Sequence, residues 1–320
     1  MVSTNHVYRL NLSDGSCMIA KSSSYGSYFL FREDHENLHR CAQLLRDTRF
    51  DGLLADVIEK NGRAFAWYDG REWVTFYEDV EKGEQLPRII DRAQIENLAT
   101  EMAELHLACT AIAGSLPPQS KSIKSDAIHL LELVSNPHTA KRFELDNAEL
   151  AVVQRHCHDF LLELERARYD EWPRIPVLVD WNLGNFSVRR EPDKRFRLFT
   201  RWDYDWFRIE PRTMDFYFLS RVSSSTGDRT HFTYSAHTFL EPRFLQFLQA
   251  YHSVFPLTPA DLRFLQESYR FFILNYVIRE GDAFFRPDLW RRLQKEAVHI
   301  YLPELDRFDH TPMLDAVFGK

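Results

Sequence analysis

The feature that most limits what this chain can fold into is a change of hydrophobic period near residue 90. Before it, apolar residues alternate as in half-buried strands; after it, they recur three and four positions apart, as on amphipathic helices. Val7–Leu12 alternates, Ser13-Asp14-Gly15-Ser16 supplies turn chemistry, and Cys17–Lys21 continues as a second strand. Arg32–Leu45 carries Leu38, Cys41, Leu44 and Leu45 at helical spacing behind an acidic first turn. Val57–Tyr68 and Trp73–Val80, rich in β-branched and aromatic residues and separated by Asp69-Gly70, predict further strands. Glu81-Lys82-Gly83-Glu84 reads as a linker. From Asp91 onward helices dominate, with Ile95, Leu98, Met102, Leu105 and His106 on the first. Ile128–Val134, Leu150–Leu164, Leu240–Phe255, Ala260–Arg279 and Asp288–Tyr301 follow, interrupted by two short strands at Val177–Val179 and Phe196–Phe199. This segregation predicts an α+β protein of two lobes: a β-rich lobe over 1–80, a hinge over 81–90 and a helical lobe over 91–320. Ligand sites favour the cleft between such lobes.

Composition removes several classes of function. Of 320 residues, 44% are hydrophobic and 11 are glycine, which excludes a disordered chain and a collagen-like one. The formal charge of −7 argues against a general nucleic-acid partner. Cys17, Cys41, Cys109 and Cys157 form no C-x-x-C pair, so reduced thiols are the simpler expectation. No run approaches the roughly 20 apolar residues of a membrane span, and Met1–Leu12 lacks a signal-peptide core; a soluble, cytoplasmic protein without a membrane partner is expected. His156 and His158, two apart on a predicted helix, face different sides, and the His35/His39 pair lacks the glutamate of a zincin. Ser223-Ser224-Ser225 has no nucleophile-elbow setting, so hydrolase chemistry has no support.

Oxygen-bearing side chains concentrate instead between Val177 and Phe218. Asp180 follows an apolar strand, and Asn185 comes five positions later in VLVDWNLGNF. Asp203 and Asp205 follow the next apolar strand in RWDYDW, and Asp215 comes after them in EPRTMDFYF. A hairpin joining the strands would gather these groups at one end. Carboxylate and amide oxygens without nearby His or Cys are hard ligands and suit Mg2+ better than zinc. Each aspartate alone is commonly a turn or cap residue; the joint spacing is what carries the reading.

In these residues the chain resembles the aminoglycoside phosphotransferase and choline kinase-like group, the small-molecule relatives of protein kinases. Their H-G-D-x-x-x-x-N loop is matched by Asp180 and Asn185, and their D-x-[DE] motif by Asp203 and Asp205, with Leu178 where the group has histidine. The resemblance implies a protein-kinase-like fold, ATP and Mg2+ as cofactors and a small-molecule hydroxyl as acceptor. It makes Asp180 the catalytic base, and Asn185, Asp203 and Asp205 the metal ligands. Cys17-Met18-Ile19-Ala20-Lys21 is similar to the V-A-I-K strand, implying that Lys21 contacts phosphate and pairs with Glu36, with Glu33 as rival. Tyr77-Glu78-Asp79-Val80 stands where the group binds adenine through backbone groups, here those of Glu78 and Val80. Ser3-Thr4-Asn5 resembles the tail of a phosphate-binding loop, so Ser3 and Asn5 join the implied nucleotide site. The preceding glycines and first strand of that group are expected to be missing. With Leu178 in the histidine position, a non-catalytic nucleotide- or ligand-binding protein is the alternative. The acceptor and the oligomeric state are not legible.

Overall fold

The structure is a computed structural model and describes residues 5–193, 195–227 and 233–319. Strand β1 (His6–Asn11) turns through Gly15, at φ 83°, into β2 (Cys17–Ser23), and the two pair antiparallel from His6/Ser22 to Asn11/Cys17. Helix α1 (Tyr28–Leu45) follows and buries Leu38, Cys41 and Leu45. The strand-rich stretch over 57–68 divides into β3 (Glu59–Lys60), β4 (Arg63–Ala64) and β5 (Ala66–Tyr68). Asn61 and Gly62, both at positive φ, form a tight turn between β3 and β4, which uniform β propensity hides. Strand β6 (Trp73–Glu78) completes a four-stranded antiparallel sheet in the order β1-β2-β6-β5. In it β2 is central, while β1 is an edge with Val7 and Tyr8 exposed.

The helical part begins at α2 (Arg92–Ile112), which Asp91 and Gln94 start with a reciprocal capping box. Capping boxes also open α3 (Ile123–Ser135) at Ser122 and α4 (Asn147–Arg166) at Asp146. Between α4 and α5 (Phe216–Ser223) lie β7 (Ile175–Val177), β8 (Phe186–Arg190), β9 (Phe196–Arg201) and β10 (Arg208–Glu210), paired as β7–β10 and β8–β9. Helix α6 (Pro242–Val254) packs along α2, and α7 (Pro259–Phe272) runs through the core before widening into π-type turns over Ile273–Arg279. Four further helices close the chain: α8 (Gly281–Phe284), α9 (Pro287–Glu296), α10 (Leu302–Leu305) and α11 (Thr311–Phe318). Of these, only α9 had a counterpart in the sequence reading. No helix among the described residues is long and apolar enough to cross a membrane, and all four cysteines are free thiols.

The segment read as a linker is anchored. Gly83 N donates to Ser187 Oγ at 3.0 Å, Glu84 and Val188 exchange backbone bonds, and Thr200 Oγ1 donates to the Glu81 carbonyl. A Cβ at Gly83 would lie 2.5 Å from the Val188 carbonyl oxygen, so the close approach of two backbones requires glycine there. Elsewhere charged groups join the sheet-bearing part to the helical part. Glu33 accepts from Ser120 N and Oγ, both at 2.8 Å, Asp34 pairs with Lys121, and Arg49 pairs with Glu101 and Glu104 of α2.

Candidate active site

The site is built on two loops that follow two short strands. Leaving β7, the chain reverses within three residues: Asp180 N donates to the Leu178 carbonyl at 2.7 Å and Trp181 N to the Val179 carbonyl at 3.0 Å. Val179 takes φ 59°, a conformation that a β-branched residue adopts at a cost of about 1–3 kcal/mol. Asp215 holds this turn in place, its Oδ1 accepting from Leu178 N at 3.0 Å and Val179 N at 2.6 Å. The other oxygen of Asp215 meets His106 Nε2 at 2.9 Å, and His106 Nδ1 meets the Tyr251 hydroxyl at 2.8 Å. The loop is thus fixed through its backbone, with the Leu178 side chain simply buried.

The second loop leaves β9 at Arg201, and Asp203 likewise has positive φ, 69°. Arg201 is the residue that joins the two, and its guanidinium is wholly buried. It donates to the carbonyls of Leu178 at 3.3 Å and Asp180 at 2.7 Å on the first loop. On its own loop it donates to the carbonyls of Trp202, at 3.2 Å, and Asp203. The Trp181 and Tyr204 rings cover it, at 5.3 Å and 5.5 Å from their centroids. Tyr204 continues the link into the sheet-bearing part, its hydroxyl accepting from Ala55 N at 2.7 Å. Trp202 N donates to the Asn185 carbonyl at 2.9 Å, and Asn185 Nδ2 to the Asp180 carbonyl at 3.3 Å. Sequence reasoning passed over Arg201 because one arginine before a W-D-Y-D run resembles any strand-end cation.

Lys21 enters from β2, one of the two inner strands of the sheet. Its ammonium is buried and pairs with Asp203 Oδ1 at 3.2 Å and with Asp205. Burial opposes the charge, yet the Asp205 and Asp203 carboxylates outweigh it and raise the Lys21 pKa. The expected Lys21–Glu36 ion pair is not formed. Glu36 Oε1 is buried without a hydrogen-bond partner, and Glu33 serves the Ser120 contact instead. The α1 residue beside Lys21 is His35, which bonds to the Tyr77 hydroxyl; burial and the Lys21 charge push its pKa down to about 3. Asn5 makes a side-chain hydrogen bond to Asp205, and Ser3 lies outside the described residues. Strand β6 ends at Glu78, whose backbone N donates to the Asp56 carbonyl at 2.9 Å, and Val80 is half-buried just beyond it.

The carboxylates differ sharply in state. Burial, then repulsion from Asp203, push the Asp180 carboxyl up to about 7, although Arg201 and Asn182 pull the other way. Partial desolvation works against the Asp203 charge too, but its side chain is 45% exposed, and Lys21 and Arg201 prevail and hold its carboxyl below the usual range. Asp205 is raised, chiefly by burial and the Asp203 charge.

Among the described residues no three His, Cys, Asp or Glu side chains are arranged to hold a metal by themselves. The donors that could hold Mg2+ are mixed oxygen groups: Asn185 turns its Nδ2 to the Asp180 carbonyl, which leaves its amide oxygen as a hard donor, and its loop meets that of Asp203 where Trp202 N bonds the Asn185 carbonyl. Mg2+ is commonly held by one or two side chains and completed by phosphate oxygens and water.

The chain matches no protein-family model and no curated protein. Solved structures match nearly its whole length. The amicoumacin kinase hAmiN, in complex with AMP-PNP, Ca2+ and Ami, superposes with TM-score 0.61 at 15% identity, over 96% of this chain and 88% of that one. A microcompartment-associated aminopropanol kinase gives TM-score 0.57 at 16% identity over 98% and 96%. APH(2")-IIia, in complex with GDP and kanamycin, gives 0.56 at 14% over 96% and 94%. At such identities the likeness is one of fold. The small antiparallel sheet over a larger helical part is the protein-kinase-like, two-lobed architecture seen in small-molecule kinases.

Proposed function

We propose that this protein is an ATP-dependent, Mg2+-requiring phosphotransferase that moves the γ-phosphate to a hydroxyl of a small molecule. The observation that carries the reading is the pairing of loops by Arg201. It sets a carboxyl of pKa about 7, Asp180, beside Asn185 and Asp203, with Lys21 opposite. The solved structures of this fold named above are kinases of small molecules, which supports the same reaction class.

Asp180 accepts the proton of the acceptor hydroxyl as that oxygen bonds to the γ-phosphorus. The bond from phosphorus to the β,γ-bridging oxygen breaks, and ADP leaves with the electron pair. A carboxyl near neutrality suits a general base, because it is deprotonated at working pH yet basic enough to take the proton. Lys21 exchanges Asp203 and Asp205 for phosphate oxygens, and the backbone at Glu78 and Val80 receives the adenine. Asn5 steadies Asp205, and Asn185, Asp203 and Asp205 would hold Mg2+. Bound there, the ion supplies the charge neutralisation on which phosphoryl transfer depends. Asp180→Asn should lower acceptor-dependent ADP formation by about 10²–10⁴-fold; retained turnover would remove Asp180 from the role of base.

Two observations favour a second reading, a non-catalytic nucleotide- or ligand-binding protein. Two carboxylates already neutralise the Lys21 ammonium, and Leu178 replaces the histidine of the resembling group. Melting with ATP, with and without Mg2+, separates the two, because specific binding raises apparent stability whether or not turnover follows.

A further inference from the structure

The basic groups around the two loops are nearly all spoken for. Lys21 pairs with Asp203 and Asp205, and Arg208 with Asp126. Arg279 pairs with Asp126 and Glu280, and Arg212 with Asp261. Arg221, in the last turn of α5, is different. It is half-buried and makes no ion pair or side-chain hydrogen bond among the described residues. Its guanidinium lies 5.3 Å from the Phe218 ring centroid and 5.3 Å from that of Tyr234. Two aromatic contacts hold a cation in place and leave its donors unused.

The position matters. Phe218 also touches Trp206, the residue after Asp205, at a centroid distance of 5.5 Å. Arg221 is close enough to Asp180 to lower its carboxyl pKa, and Tyr234 feels both charges. The aromatic wall continues from Trp206 to Tyr276, stacked at 4.3 Å, and to Phe284 at 5.6 Å. The carboxylates beside that wall, Asp126 and Glu280, are already neutralised by arginine. Arg221 is thus a cation near the base that no carboxylate among the described residues pairs.

We propose that Arg221 recognises the acceptor and that the acceptor bears an anionic group, best a carboxylate, near the hydroxyl to be phosphorylated. This rests on the phosphotransferase reading and narrows it: among the described residues Asp126 and Glu280 on this wall are paired with arginine, which leaves little for a cationic amino alcohol or aminoglycoside, whereas an acceptor carboxylate meets Arg221 N–H donors that no described residue takes. The reaction balances as before, with the acceptor's carboxylate a spectator.

The test uses the full chain and matched probes: 4-hydroxybutyrate and gluconate as anions, 1,4-butanediol and sorbitol as neutral analogues, 4-amino-1-butanol and glucamine as cations. Binding is read by calorimetry and melting shift, and turnover by ADP release with Mg-ATP. The anions should bind best in wild type. Arg221→Gln should weaken their binding and raise their KM about 10- to 100-fold, with a smaller change in kcat. Arg221→Lys should recover part of the loss, and circular dichroism confirms that the variants fold. Tighter binding by the cations, equal binding of all three sets, or anion affinity unchanged in Arg221→Gln would overturn the proposal. Anion binding dependent on Arg221 without ADP from any probe would sustain it while removing the phosphotransferase reading.

Discussion

Replacing Arg201 with methionine is the sharpest test of how the two loops are held. Methionine fills much of the same space without donating, so four carbonyls each lose a bond: that of Leu178, which keeps Asp180 N, that of Asp180, which keeps only the long bond from Asn185 Nδ2, and those of Trp202 and Asp203. The bond to Asp180, at 2.7 Å, and that to Asp203 are well formed, while those at 3.3 Å and 3.2 Å are weaker. A buried acceptor left unsatisfied costs about 1–3 kcal/mol. Two such acceptors, with the weaker pair partly reclaimed by water, give about 3–4 kcal/mol. At roughly 2 °C per kcal/mol for a chain of this size, the melting temperature should fall by about 6–8 °C. The electrostatic consequence runs the same way each time. Arg201 holds down the carboxyl pKa of Asp180 and Asp203, so its loss should move the Asp180 pKa further above about 7 and shift the pH–rate profile to the alkaline side. Differential scanning calorimetry and rates at several pH values read both effects. Arg201→Lys, with its charge but fewer donors, should fall between. A methionine variant that melts within 1 °C of the wild type, with an unmoved profile, would refute the account.

Since Asp180 acts when deprotonated, and its carboxyl lies near 7 before Mg2+ binds and lower with the ion nearby, kcat/KM should fall about tenfold per pH unit on the acid side and be level by about pH 7. A rate that goes on rising above pH 8, or that shows no acid limb down to pH 4, would contradict this. Lys21→Met removes the buried ammonium that neutralises Asp203 and Asp205. The variant should lose nucleotide-induced stabilisation, measured by melting with Mg-ATP, and full retention would remove Lys21 from phosphate binding. Gly83→Ala forces a methyl to within 2.5 Å of the Val188 carbonyl oxygen, and chemical denaturation should show a loss of about 1–3 kcal/mol.

The sequence reading reached the α+β division and the long helices because these repeat a simple period many times over. Helices α2, α3, α4 and α7 announce themselves further through Asp91, Ser122, Asp146 and Thr258, whose side chains cap the first turn. The spacing of Asp180, Asn185 and Asp203 pointed to neighbouring loops, and the backbone bond from Trp202 to Asn185 shows the two loops in contact. Partner choice was the illegible part. Nothing local in α1 tells Glu33 and Asp34 to meet Ser120 and Lys121, nearly ninety residues away, or keeps Glu36 from Lys21. Arg201 was hidden for the same reason, since its value lies in carbonyls brought together only by the tertiary fold.

The contacts of Glu33, Asp34 and Arg49 with the helical part have a bearing on motion. All are charged or charge-assisted, and Asp34–Lys121 and Arg49–Glu104 lie where solvent reaches at least one partner. The same join also packs Leu38, Cys41 and Leu45 into a core shared with α2, so only its ionic part weakens as the Debye length shrinks. Added salt is thereby expected to loosen the rim of the join while leaving its apolar centre in place.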